Sequence, residues 1–150
     1  MYHSAKNLYG GRLNFKEVLK TAVGPRKLIR AIAYVIRTET KEEKMFFDAL
    51  GKSGIEVKMK DLQIFPGGMK KGDWDVGIAV DAIKFSNLTD AIVLVTGDGD
   101  FVPLVEYLKL NKGIQTEVMA FGKSASAKLQ EAADDFIDLS EESKRYLLKK

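Results

Sequence analysis

The sequence has no cysteine, which excludes disulfides, thiolate zinc sites and thiol nucleophiles together and leaves oxygen ligands for any metal. Carboxylates are therefore the chemistry to look for. The one histidine, His3, sits in the opening segment and reads as exposed rather than catalytic. No apolar run approaches the ~20 residues of a membrane-spanning helix, so no membrane location is expected. Met1-Tyr2-His3-Ser4-Ala5-Lys6-Asn7 lacks the apolar core of a secretory signal, which makes the cytoplasm the expected compartment. Charge of one sign is scarce too. The 24 Lys and Arg against 21 Asp and Glu leave a net charge of +3, too small to announce a nucleic-acid partner by bulk electrostatics.

What is present suits one domain with one core: 150 residues, 45% apolar and 30% charged, without repeats, linkers or low-complexity segments. Short runs rich in Val and Ile alternate with helix-like segments, the rhythm of a βαβ fold. Asn14 is placed to cap a helix that Gly24-Pro25 stops, and a strand is expected over 30–36. Thr40 opens a helix closed by Gly54, followed by a strand over 55–59. The stretch from Asp61 to Lys71, with Pro66-Gly67-Gly68, reads as a loop. Val76 to Phe85 is apolar nearly all round and predicts a buried helix ending near Asn87. Ala91-Ile92-Val93-Leu94-Val95 has the pattern of a strand covered on both faces. A helix with Phe101, Leu104, Val105 and Leu108 on one face follows, then a strand from Thr116 to Phe121 and a helix capped by Ser124. A short strand over 136–139 and a terminal helix from Ser140 complete the pattern.

In open parallel sheets the reactive crevice lies beyond the carboxyl ends of the strands. Asp98 and Asp100 follow the firmest strand directly, with Gly97 and Gly99 leaving the backbone free to turn and bring both carboxylates toward one point. Held that close, two carboxylates repel unless a cation lies between them or one keeps its proton. Mg²⁺ or Mn²⁺ suits such oxygen ligands. A plain turn whose second Asp, Asp100, caps the next helix is the bland alternative. Asp75 stands at the start of the apolar helix, where the positive end of the dipole favours an anion, and Asp73 is the plainer cap. Asp81, inside the apolar run, needs a partner: an ion pair or a metal shell. Lys71 either reaches a phosphate or is solvated, as do the other basic clusters: Arg26-Lys27 with Arg30, Lys41 with Lys44, Lys58 with Lys60, and Lys70. Trp74 reads as a core or lid anchor.

Three stretches, Lys71-Gly72-Asp73-Trp74-Asp75-Val76 with Asp81, Val95-Thr96-Gly97-Asp98-Gly99-Asp100-Phe101 with Pro103-Leu104, and Ser124 through Leu129 to Ala133-Asp134-Asp135-Phe136-Ile137, resemble successive motifs of the NYN domains, the LabA-like branch of the PIN-like nucleases. The resemblance implies a three-layer α/β/α sandwich around a mainly parallel sheet, and an acidic cluster that binds Mg²⁺ or Mn²⁺ and cleaves RNA. By motif position Asp75, Asp98 and Asp100 would be catalytic and metal-binding, with Asp81 near them; Lys71, Thr96 and Ser124 would contact substrate or support the site. One departure is large. Such domains open with a central apolar strand ending in an acidic residue, and none precedes Met1 to Tyr9. The expectation is an N-terminally truncated single domain, one carboxylate short, with a gap in its sheet, impaired activity and poor stability.

The activity expected is a metal-dependent endoribonuclease acting on single-stranded RNA, because an acidic crevice must approach the scissile phosphate closely. Its rivals are a non-catalytic RNA-binding or protein-interaction module on the same scaffold and a haloacid-dehalogenase-like phosphatase, whose nucleophilic aspartate is not visible here. A homodimer is the one oligomer entertained.

Overall fold

The computed structural model describes residues 12–37, 41–61, 63–64, 66–67, 70–71 and 73–148. In chain order, β1 (Arg12–Leu13) leads into α1 (Phe15–Val23), whose cap Asn14 accepts from the Glu17 amide at 3.3 Å and whose end is turned by Gly24 at φ +55. Next come β2 (Ile32–Arg37), α2 (Lys41–Lys52) and β3 (Glu56–Asp61), a parallel pair with its crossover helix. The segment expected to be a loop carries a small antiparallel pair, β4 (Gln63–Ile64) with β5 (Lys70–Lys71). Two-residue strands are too short to show an alternation, so a pattern of side chains could not reveal them. Then follow α3 (Asp75–Phe85), β6 (Ala91–Val95), a 3₁₀ turn (Gly99–Phe101), α4 (Val102–Leu110), β7 (Gln115–Ala120), α5 (Ala127–Ala132) and β8 (Asp135–Asp138). A second 3₁₀ turn (Leu139–Glu142) and the single turn α6 (Ser143–Tyr146) lead to β9 (Leu147–Leu148), which pairs with β1.

β6, β7 and β8 form a parallel sheet in that order, and the pleat sorts their side chains onto two cores. Ile92, Leu94, Val118 and Phe136 face a cluster built with Ile78 and Ala82 of α3, Leu104, Val105 and Leu108 of α4, and Leu129 of α5. Val93, Val95, Met119 and Ile137 face the other cluster, with Leu13, Val18, Leu139 and Tyr146. Helices thus cover both faces, giving the expected α/β/α layering with mainly parallel strands. Glu117, buried on β7, is matched by a two-pronged bond from Arg26 at 2.9 and 3.0 Å.

Among the described residues the parallel strands fall into two pieces, β2–β3 and β6–β7–β8, and α3 touches both. Its inner face packs on the β6–β8 core, while Asp81 reaches Tyr34 on β2 and Lys58 on β3. Ahead of it, the Trp74 indole donates to the Val35 carbonyl of β2 at 2.9 Å, as an anchor should. The expectation of a helix buried all round is corrected. Only Asp81 and Ala82 of α3 are buried, and Val76, Val80 and Ile83 lie on an exposed face. The residues of the expected opening segment, 1–11, lie outside the described ones. No described helix is long and apolar enough to cross a membrane.

Candidate metal centre

The loop after β6 is shaped by its own side chains. The Thr96 hydroxyl accepts from the Asp98 amide at 3.2 Å, and the Asp98 carboxylate accepts from the Asp100 amide at 2.9 Å. Asp98, not Asp100, is therefore the cap of the following 3₁₀ turn. Thr96 acts through the backbone that carries Asp98. Gly97 and Gly99 serve close packing here and have no positive φ. A Cβ on Gly97 would stand 3.1 Å from the Ala125 Cα, and one on Gly99 would stand 2.8 Å from the Ser126 Oγ. The loop is thereby pressed against the segment before α5, and the Ser126 amide donates to the Gly97 carbonyl at 3.0 Å.

Asp75 arrives from the other side, at the first turn of α3, where the Asp73 carboxylate accepts from its amide at 3.2 Å. Asp75, Asp98 and Asp100 each offer a carboxylate oxygen, and the three atoms lie within 4.8 Å of one another. None of them makes an ion pair among the described residues. The Asp75 carboxyl is raised above its usual range, first by burial and then by the charges of Asp98, Asp73 and Asp100, with Lys60 pulling the other way. A hard divalent cation fits this donor set. All the ligands are oxygens, and a cation would offset the neighbouring negative charges that add to the effect of burial on Asp75.

The other expected site residues are distributed differently. Asp81 is not part of the gathered trio. Its carboxylate accepts from Lys58 at 2.6 Å and from the Tyr34 hydroxyl at 2.7 Å, and the Lys58 bond, ahead of the Tyr34 bond, holds its pKa below the usual value despite burial. Of its two readings, ion pair or metal shell, the geometry supports the ion pair. Burial and the hydrogen bond to Asp81 push the Tyr34 hydroxyl well up. Ser124 does not cap α5; Ser126 does, accepting from the Leu129 amide, while the Ser124 hydroxyl donates to the Phe121 carbonyl. The Lys71 side chain lies outside the described ones, as does that of Lys70. Arg26 and Arg30 are held by Glu117 and Glu56, which removes them from any free phosphate path. Lys60, one of the basic residues expected either to reach a phosphate or to be solvated, lies near the site. Its ammonium stands 4.7 Å from the Trp74 ring centre and acts electrostatically on Asp75. Only the pairing of β3 with β2 brings it there, so no local pattern could have marked it.

LabA of Synechococcus elongatus (strain ATCC 33912 / PCC 7942 / FACHB-805), the "low amplitude and bright" protein, is 30% identical over 121 residues, which cover 77% of this chain and 64% of LabA. The chain thus spans less than two thirds of that relative's length. The crystal structure of VPA0982 from Vibrio parahaemolyticus RIMD 2210633, a protein of unknown function, superposes with a TM-score of 0.89 at 30% identity, over 98% of this chain and 89% of that one. The NYN domain model matches residues 1–141, and the chain belongs to the NYN domain family.

Proposed function

We propose that this chain is a divalent-metal-dependent endoribonuclease cutting single-stranded RNA at Asp75, Asp98 and Asp100. The observation that carries the reading is the convergence of three carboxylates, without an ion pair among the described residues, from two separate segments beyond the carboxyl end of the parallel strand β6. Membership of the NYN family supports it.

Asp75, Asp98 and Asp100 would hold Mg²⁺ or Mn²⁺, which supplies positive charge to lower the proton affinity of an attacking water and to offset charge growing on the phosphate oxygens. The chain's own part is positional. Thr96 fixes Asp98 through its amide, Asp98 fixes the turn that presents Asp100, and Asp73 fixes the start of α3. Lys60, which acts electrostatically on Asp75, offers the crevice a cation for a phosphate backbone. An exposed acidic crevice reaches a scissile phosphate more readily in a single strand than in a duplex. The cytoplasm is the compartment this reading fits.

The test is cleavage of a fluorescent single-stranded oligoribonucleotide with Mn²⁺ or Mg²⁺. Wild type is expected to cut, and Asp98→Asn to lose about 10²-fold or more, on the order expected when a group facing developing charge is removed. Equal cleavage by Asp98→Asn, or cleavage indifferent to chelator, overturns the reading.

A further inference from the structure

Val76 on α3 is 77% exposed, immediately beside Asp75, and Ile83, seven residues on, is 37% exposed. Ala79 lies between them on the same face. Across from this stripe stand Pro103 and Tyr107 of α4, four residues apart, with Tyr107 38% exposed. Between the two helices runs a cavity of about 380 Å³, lined by these five residues together with Phe101 and Leu104, and by Asp75 and Asp100 where the two helices begin. A surface helix ordinarily turns such side chains toward the core. Here Ile78 and Ala82 already fill that role, and the second apolar stripe remains outside.

We infer that this groove receives a base flanking the scissile phosphate of a single-stranded nucleic acid, with the Tyr107 ring as the stacking surface. The inference rests on the nuclease reading of the carboxylate trio and extends it to the part of the substrate that is not phosphate. Continuity with the trio selects the occupant. Whatever lies in the groove must be apolar and compact along its length, yet place a group compatible with cation-bearing carboxylates at one end. A nucleotide has that division, with a flat base and a phosphate attached to it. A purely apolar partner would bury Asp75 and Asp100 against apolar surface, which is costly. The volume falls within the range of small-ligand pockets and suits one splayed base, whereas duplex bases are stacked inside their helix and present no such face.

The experiment scans a single-stranded oligoribonucleotide with one abasic position at a time, reading both cleavage in Mn²⁺ and binding, by anisotropy, in Ca²⁺. Wild type is expected to lose about tenfold in KM and in affinity at one position beside the cut, within the span found for base-on-aromatic stacking. Tyr107→Ala should lose the same factor on the intact strand and become insensitive to that abasic position, while Tyr107→Phe behaves as wild type. A flat abasic scan in wild type, or Tyr107→Ala keeping the wild-type sensitivity, overturns the groove and leaves the nuclease reading standing. Position-specific, Tyr107-dependent binding without any cleavage upholds the groove and sinks the nuclease. Tyr107→Ala converting a dimer to a monomer with no change in the scan assigns the groove to a second copy and overturns the inference.

Discussion

The side chain missing at Gly99 holds the candidate site together as much as its carboxylates do. With the Ser126 Oγ 2.8 Å from where a Cβ would stand, Gly99→Ala must move either the acidic loop or the cap of α5. The expected result is a loss of about 1–3 kcal/mol in denaturant unfolding, the usual range for overpacking. Combining it with Ser126→Gly should recover most of that loss; no recovery would show that the clash is not the cause. Asp81 gives a prediction with a pH signature. Its folded pKa is depressed, so its stabilising contribution is present above the ordinary carboxylate range and lost as pH falls through the folded value. Asp81→Asn should therefore destabilise near neutral pH by about 1–3 kcal/mol, the order of a buried charged group losing its partner. The gap from wild type, followed by urea midpoints, should narrow on acidification. The chemistry of both glycines is visible in the sequence only as a permissive turn. Their real constraint, contact with residues 124–126, depends on a neighbour some thirty positions away.

At the scale of elements, legibility followed how much of the surroundings an element carries in its own sequence. Ala91–Val95 is apolar throughout and can only be covered on both faces, so its place and the acids beyond it were readable. α1 was readable from Asn14 and Gly24, which act on their own helix. α3 misled because uniform apolarity does not say which face a helix buries. Its inner face is taken up by the β6–β8 core, and its outer face borders the site. The start of α5 misled for a similar reason. Ser124 and Ser126 both offer a hydroxyl, and only the packing of Gly97 and Gly99 against this segment decides which one caps. Ser126→Ala is expected to cost about 1 kcal/mol in thermal or urea unfolding, as a lost cap does, and Ser124→Ala to cost less.

For the whole molecule, the trio joins the two sides of the fold. Asp75 belongs to a helix that also grips β2 and β3, whereas Asp98 and Asp100 belong to the loop of the three-stranded sheet. Without divalent ions the mutual repulsion opposes that docking, so Asp75→Asn should melt at a higher temperature than wild type in chelator. Adding Mn²⁺ should raise the wild-type midpoint in step with concentration and leave Asp75→Asn nearly unmoved. A wild-type midpoint indifferent to Mn²⁺ would deny binding at the trio. One consequence reaches beyond catalysis. A cation held between helix and loop would act as a rivet across the molecule, so that supply of the ion, rather than of RNA, sets how often α3 lifts. Amide hydrogens in the first turn of that helix should then exchange more slowly in Mn²⁺, while those of α1, on the far layer, keep their pace.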